Sequence, residues 1–505
     1  MTARRRRRPA AMTTNDKIRA IVSDPTLYEL GALIPERQPI GRRSHFPGYL
    51  LLGYGVLARL FRSAARVETE IADPATWEVI TQTIRNMHQR DPELVPRLPG
   101  PKPPNRDAFR YARDAHLTSD DVLPQLQALF TECAVDRARE FGLLNPNGPG
   151  SLSHPDRSRV VYGDGTVVRP LYRPPAATRT TTKDGETVIT YTGPGGAPQQ
   201  APTRRYDPDA ADYHGHAGPV HGQNFVALYA RGDHPGHRVV LAVARVDRPG
   251  HEAATAVTAI KALHEIAGNG IQAVVYDGAM RGAHIDDLMT TLGVVVINKV
   301  HSSAKTATRR GKKSATPRYY PLGAWEHDTS HTPGGSTTCT HQLGAVDGAV
   351  SEIALNEVGK AVILHRLERR QIKRPRRASG RYHFNVAYEV PCPQEPFTAW
   401  ITPHALASET SHTRADAVRI IAEGEPDFDR LYGLRNDAES FNSEFKRTLI
   451  VDRAMSLGAR RQLLDVLCYA ILHNAINAAR AQASAPNIAV MRRVAPGARA
   501  LPEAA

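Results

Sequence analysis

The spacing of apolar residues changes along the chain, and each change marks a different kind of structure. Between residue 15 and about residue 150, apolar positions recur at intervals of three and four, as in residues 50–71, which is typical of amphipathic helices. Asp73 and Pro74 form a helix start, because aspartate caps helix N termini and proline is favoured at the first helical position. Residues 15–150 are therefore predicted to form an all-helical N-terminal domain that is able to bind DNA ends.

From about residue 158 the pattern becomes one of short apolar runs alternating with helical periodicity. A helix is predicted at 251–267 and another around residues 285–289. Because three strands precede the first of these helices and single strands follow each of them, a mixed sheet flanked by helices is expected, in the α/β class. The predicted strands are 159–166, 224–229, 238–246, 272–276 and 294–298.

The α/β domain is predicted in two parts, 151–300 and 403–484, with a strongly apolar helix near 462–481 that completes the core. Residues 301–402 separate the two parts and are predicted to form a β-rich basic insertion. The arginine run at 4–8 makes residues 1–14 a disordered basic arm, and residues 485–505 are expected to be a loose tail.

The stretch YGLRNDAESFNSEFK at 432–446 has its charges in helical register. At about 100° per residue, Arg435, Glu439 and Lys446 fall within roughly 60° of Tyr432, and apolar residues occupy the opposite arc. An exposed helix with salt bridges is the alternative, since Arg435 and Glu439 are also an i,i+4 pair.

Two aspartates stand at the ends of predicted strands. Asp164 ends the first strand within Asp-Gly-Thr, and Asp277 ends the fourth within YDGAMRG. Ligands collect at strand ends in such sheets, although either aspartate alone could equally be a turn residue.

Together these motifs resemble a known family. The spacing Tyr-x2-Arg-x3-Glu-x6-Lys, with two aspartates upstream, is similar to that of bacterial insertion-sequence transposases of the Y-R-E-K branch of the DDE, RNase H-like superfamily. The resemblance covers roughly residues 158–480 and implies an RNase H-like sheet interrupted by a β-rich insertion. It also implies that Asp164, Asp277 and Glu439 are catalytic ligands of two Mg²⁺ ions, for which Mn²⁺ can substitute.

The resemblance further implies a partner and a reaction. Tyr432, Arg435 and Lys446 are expected to bind terminal phosphates of double-stranded DNA, while a homodimer cuts the element ends and joins them to target DNA. Two alternatives stay open, a DNA-binding derivative without catalysis and an RNase H-like nuclease without strand transfer.

Composition agrees with a polyanionic partner. The 505 residues include 65 Lys and Arg against 51 Asp and Glu, a formal charge of +14, and the pI is about 9.7. Four scattered cysteines predict no disulfide framework, and no apolar run is long enough to span a bilayer. A cytoplasmic, nucleoid-associated protein with no membrane partner is expected.

The insertion also contains possible metal ligands. His327 and His331, followed by Cys339 and His341, offer zinc-compatible side chains within a short stretch. The spacing matches no standard zinc finger, and histidines scattered through a glycine-rich loop are the alternative to a structural Zn²⁺ site.

Overall fold

A computed structural model describes most of the chain. The described residues are 12–36, 44–172, 177–181, 187–199, 205–215, 218–300, 308–309, 312–313, 319–328, 338–357, 361–406 and 413–484. The predicted tail at 485–505 and residues 1–11 of the predicted arm lie outside them. Helix formation begins slightly earlier than expected, because Thr13 caps the first helix by accepting a hydrogen bond from the Asp16 backbone N–H.

The N-terminal region is helical, as predicted. The Asp73 side chain accepts from the Thr76 N–H, with Pro74 at the first helical position, so the predicted helix start is confirmed. The helices of this region are α1 Thr14–Val22, α2 Pro25–Gly31, α3 Gly48–Leu60, α4 Ala64–Ala72, α5 Pro74–Arg90, α6 Arg106–Ala112 and α7 Val122–Glu140.

A mixed sheet follows, built from apolar strands that are buried along most of their length. Each predicted strand and helix between 159 and 298 is present, and a small separate sheet occupies the polar stretch after the first strand. The elements are β1 Val160–Val168, β2 Ala177–Thr181, β3 Thr187–Thr192, β4 Pro198–Gln199, β5 Ala211–Gly215, β6 Gly218–Arg231, β7 Arg238–Arg245, α8 Glu252–Ala267, β8 Ala273–Val275, α9 Gly282–Leu292 and β9 Val295–Ile297.

The order across this sheet is β7–β6–β1–β8–β9, with β5 extending β6 as a hairpin. The first three strands are antiparallel neighbours, whereas β8 is parallel to β1 and β9 is parallel to β8. Helices α7 and α8 pack on β7, and α9 packs beside β9. The prediction of a mixed α/β fold is therefore confirmed.

The described part of 301–402 consists of strands and loops without a helix. It contains a two-stranded ribbon, a four-stranded sheet in the order β12–β13–β14–β15 and a three-stranded sheet in the order β16–β17–β18. The strands are β10 Thr308–Arg309, β11 Lys312–Lys313, β12 Tyr319–Asp328, β13 Thr338–Val346, β14 Ala349–Leu355, β15 Ala361–Arg366, β16 Glu368–Lys373, β17 Asn385–Val390 and β18 Phe397–Ile401.

The single helix predicted for 432–446 is two helices joined by a 3-10 turn at Gly433–Arg435. Tyr432 therefore ends one helix instead of opening the next, because glycine is a poor helix former at the junction. The predicted apolar arc is confirmed, since Ala438, Phe441 and Phe445 are buried. The helices of this part are α10 Thr413–Ala417, α11 Pro426–Tyr432, α12 Asn436–Arg447 and α13 Ala459–Ser484.

Helix α13 connects the α/β core to the N-terminal helices. It packs against α3, where Gly55 allows Cys468 to approach so closely that a Cβ at position 55 would lie 3.0 Å from its sulfur. Beside this contact Arg59 pairs with Asp465 at 3.4 Å, and both side chains are largely buried.

We expect Asp465→Ala to lower the free energy of unfolding by about 3 kcal/mol, because it leaves the Arg59 guanidinium buried without its counter-charge. Urea denaturation of the two proteins measures the difference. Glu78→Ala is the matched control, since its pair with Arg85 is solvent-exposed and contributes at most about 1 kcal/mol. Equal losses in both variants would contradict the buried pair.

Candidate active site

Asp164 is the centre of a charged cluster at one end of the sheet. It lies on the central strand β1, and only 8% of the residue is exposed. Its two carboxylate oxygens accept from two residues of the C-terminal region, Arg435 Nη2 at 2.7 Å and Asn442 Nδ2 at 3.0 Å. The Asp164 carboxylate on β1 is therefore held by Arg435, which directly precedes α12, and by Asn442, which lies within α12.

Asp277 lies beside Asp164 through the strand register. Strands β1 and β8 are parallel, and Tyr162 lies opposite Val275. Two residues further along each chain segment, Asp164 and Asp277 therefore lie side by side, with their side chains on the same face of the sheet. The Asp277 Oδ1 atom accepts from the Ala279 N–H at 2.9 Å, which turns the chain away from the strand. The two predicted aspartates therefore converge. Asp277 follows the end of β8 as expected, but Asp164 does not end its strand, because β1 stays paired with β6 as far as Val168.

Glu439 contributes a third carboxylate, from α12. Its Oε1 lies 3.6 Å from Arg435 Nη1, so one guanidinium contacts both Glu439 and Asp164. The Glu439 side chain is 60% exposed and faces an open groove of about 500 Å³ that Asp164 and Lys446 also line. The predicted register of Arg435, Glu439 and Lys446 on one face is consistent with this groove.

Glu252, at the first position of α8, is a fourth carboxylate that the sequence analysis missed. Its Oε2 accepts from Asn224 Nδ2 at 2.8 Å and its Oε1 accepts from the Tyr276 hydroxyl at 3.3 Å. A Cβ at Gly165 would overlap this carboxylate, so the glycine of the Asp-Gly-Thr motif is needed for the close approach of Glu252. In the sequence, Glu252 is only an acid in the first turn of a helix that follows a strand. Acids are common at that position in helices generally, so this pattern does not indicate a functional residue.

The charges of neighbouring carboxylates act on the two buried acids, Asp164 and Glu252. Burial raises the pKa of Asp164, Arg435 opposes this increase, and the negative charges of Asp277 and Glu439 add to it. Burial likewise raises the pKa of Glu252, to which the charges of Asp277 and Asp164 also contribute. The four acids therefore form one electrostatically coupled group.

The two remaining predicted residues lie at the edges of this group. Burial raises the pKa of Tyr432, whose ring stacks on Phe428 at 4.7 Å between centroids, and Arg435 opposes that increase. Burial lowers the pKa of Lys446, whose half-buried side chain forms no ion pair with a described carboxylate. Lys446 thus offers a positive charge to the groove.

The donor set suits a hard divalent cation, because carboxylate oxygens are the ligands that Mg²⁺ and Mn²⁺ prefer. The oxygens of Asp164, Asp277 and Glu439 do not all lie within 4.8 Å of one another. Ligands of two ions that are about 3.5–4 Å apart can be more widely spaced than ligands of one ion. Asn442 Oδ1 is a further oxygen that is buried without a hydrogen bond.

Protein-family models and curated proteins offer no match to this chain. The function must therefore be inferred from the site. Within the described residues, every helix is either too short or too polar to cross a bilayer.

The predicted zinc ligands are only partly brought together. His327 and Cys339 lie opposite each other in the register of β12 and β13, and His341 follows on β13. His331 lies outside the described residues. Cys392, which the sequence analysis did not consider, lies with Cys339 and His341 in one group of ligand atoms within 4.8 Å.

We expect Glu252→Gln to raise the melting temperature at pH 8, because the charged glutamate is disfavoured among the other acids. The folded-state pKa of Glu252 lies above its ordinary value, so the ionised form destabilises the fold at pH values above that range. At pH 4.5 the charged form is less populated than at pH 8, so the stabilisation should be smaller there.

Differential scanning fluorimetry across pH, without divalent cations, measures this effect. Glu439→Gln is the control, because its exposed carboxylate is solvated and should change stability little at either pH. A Glu252→Gln gain that does not change with pH would contradict the coupling of the acids.

Proposed function

We propose that the chain is a DNA transposase that cuts an insertion sequence from its flanks and joins it to target DNA. The observation that supports this most is that Asp164, Asp277 and Glu439, from three separate stretches, form one acidic group. Arg435 contacts two members of that group. In the resemblance these are the three acids that hold the metal ions.

The strand order supports an RNase H-like core. In that fold three antiparallel strands are followed by two strands parallel to the first, which is the order β7–β6–β1–β8–β9 seen here. A β-rich insertion ahead of the glutamate helix α12, as in the Y-R-E-K branch, also agrees with the proposal.

In this proposal Asp164, Asp277 and Glu439 would hold two divalent cations, which would supply positive charge at the phosphate and a lowered pKa for an attacking water. Glu252 would add negative charge to the same group. The water oxygen bonds to phosphorus as the bond to the 3′ oxygen breaks, the water loses a proton to solvent, and the leaving 3′ oxygen takes up a proton from solvent. The freed 3′ hydroxyl then attacks a target phosphodiester and displaces its 3′ oxygen in the same way.

The groove suits a polymer backbone. It is open to solvent over about 500 Å³, and Lys446 and Arg447 of α12 line it together with Asp164 and Glu439. Cations placed beside metal-binding carboxylates can hold the phosphates that flank the cut. Together with the formal charge of +14, this arrangement favours double-stranded DNA as the partner. Because two element ends are cut together, a homodimer is the proposed active form.

Two other functions use the same groove. A nuclease without strand transfer would need the acids but no contacts that retain the end. A DNA-binding derivative would need only the basic residues. Strand-transfer products from a pre-cut end, with its 3′ hydroxyl free, distinguish the transposase from both.

We expect Asp277→Asn to reduce Mg²⁺-dependent nicking by about 10²-fold or more, because it removes a metal-binding charge. Asparagine keeps an Oδ1 acceptor for the Ala279 N–H, so the local turn is preserved. Nicking of supercoiled plasmid measures the loss, and DNA binding should be retained.

Asp287→Asn is the matched control, because Asp287 forms a partly exposed ion pair with Lys261 and does not line the groove. It should nick like the unaltered protein. Persistent nicking by Asp277→Asn would show that the acids are wrongly assigned.

We expect Lys446→Ala to weaken DNA binding and to lower the slope of log affinity against log salt by about 0.9, as the loss of one phosphate contact requires. Lys446 is the better probe than Arg435, which already binds Asp164. Fluorescence anisotropy at several salt concentrations measures the slope. Lys261→Ala is the control, and equal slopes for Lys446→Ala and the unaltered protein would exclude the contact.

A further inference from the structure

A second cluster of ligand side chains lies in the insertion, between its two larger sheets. His327 on β12 faces Cys339 on β13, and His341 follows two residues later on the same side of β13. Cys392 comes from the segment after β17 of the other sheet. The Sγ atoms of the two cysteines and a nitrogen of His341 all lie within 4.8 Å of one another.

His341 is oriented as a metal ligand. Only 5% of the residue is exposed, and its Nδ1 lies 2.6 Å from Oε1 of the buried Glu352. A carboxylate at Nδ1 fixes the tautomer in which Nε2 has a free lone pair. That Nε2 atom is buried without a hydrogen bond of good geometry, and the Cys392 thiol is its neighbour in the cluster.

Cys392 is surrounded by groups that can stabilise a sulfur ligand. The His327 and His341 imidazoles and the backbone N–H groups of Gln394 and Glu395 lie around its sulfur. Cys339 interacts with the same sulfur. Neither cysteine is in a disulfide. Backbone N–H groups directed at a sulfur are a common environment of metal-bound thiolates.

We propose that His327, Cys339, His341 and Cys392 bind one structural zinc ion. Two thiolates and two imidazoles form a closed set that suits Zn²⁺ and not Mg²⁺. With bonds of about 2.3 Å to sulfur and 2.0 Å to nitrogen, tetrahedral ligand atoms lie about 3.3–3.8 Å apart. The three atoms within 4.8 Å therefore need to move inward by at most about 1.5 Å, and binding releases the thiol protons of Cys339 and Cys392 to solvent.

His327 completes the set as the fourth ligand. Its Nδ1 is buried without a hydrogen bond, and its ring lies 4.6 Å from that of Phe397, which also contacts the His341 ring at 5.2 Å. This assignment replaces His331 of the sequence-based set with Cys392. The strand register places His327 opposite Cys339, and this pairing does not involve His331.

Such an ion would join the two sheets of the insertion. Leu343, Ala345 and Val350 of the four-stranded sheet reach the main core, whereas its outer part has a small apolar cluster formed by Val346, Ile353 and Ala361, and Leu355 and Val362 are exposed. An outer part with so little apolar burial gains stability from a metal cross-link. The ion would tie β12 and β13 to the end of β17, independently of any DNA chemistry.

The test is the zinc content of the full chain, purified without chelators or a metal-affinity tag, measured by elemental analysis. We expect about one zinc per chain, and loss of most of it in Cys392→Ser and in His327→Ala. Cys133→Ser is the control, since Cys133 lies in α7 and contacts Glu29, so its zinc content should not change. His331→Ala should also retain zinc.

Cobalt substitution gives a second measurement that does not depend on the stability of the variants. The unaltered protein should show thiolate-to-metal charge-transfer absorption with the intensity of two thiolate ligands. Absence of bound zinc from the unaltered protein, a Cys339–Cys392 disulfide in its alkylated mass spectrum, or zinc lost from His331→Ala but retained by His327→Ala would each overturn the proposal. These results are separate from nicking activity, so they leave the proposed function untouched.

Discussion

The ion pair between Asp164 and Arg435 is the interaction on which the arrangement of the core depends. The two residues are 271 positions apart, and their contact joins the central strand to the turn that starts α12. A carboxylate that is 92% covered needs such partners, because an unpaired buried charge is strongly destabilising. Asn442 donates to the second oxygen, so α12 is fixed to β1 through two hydrogen bonds in addition to its apolar face.

This pairing explains how an insertion of about a hundred residues is tolerated between the two parts of the core. The insertion leaves the sheet after β9, and the chain returns to it in the helices after β18. The position of α12 on the sheet does not depend on a short connection to it. Phe441 and Phe445 are buried in the core, and Arg435 forms an ion pair with Asp164 there. The geometry of the acids is therefore set by packing against β1, and the loops impose little on it.

The sequence predicted those parts of the site that depend on local patterns. Asp164 and Asp277 could be placed because each follows an apolar run of a strand, although β1 continues past Asp164, and Glu439 because three polar residues recur on one helical face. Glu252 could not be predicted, since its position depends on how α8 returns over the sheet and on the absence of a side chain at Gly165. Cys392 was missed for a similar reason, because pairing between distant strands leaves no spacing in the sequence. The break at Gly433 was visible as a poor helix former, but which helix Tyr432 joined depended on the stacking of its ring on Phe428.

Charge balance links the site as it stands to the chemistry proposed for it. The Arg435 guanidinium contacts two of the four coupled carboxylates, Asp164 and Glu439, and burial with the neighbouring negative charges raises the pKa of Asp164 despite this contact. In the proposed function, divalent cations bound by the acids would add positive charge and would compete with Arg435 for the oxygens of Asp164. A guanidinium released in this way would still lie near Glu439, which lines the open groove together with Lys446, and a DNA phosphate there would be a suitable partner. In the proposed function the same arginine would therefore stabilise the acids before metal binds and the substrate afterwards, in keeping with its contacts to both Asp164 and Glu439.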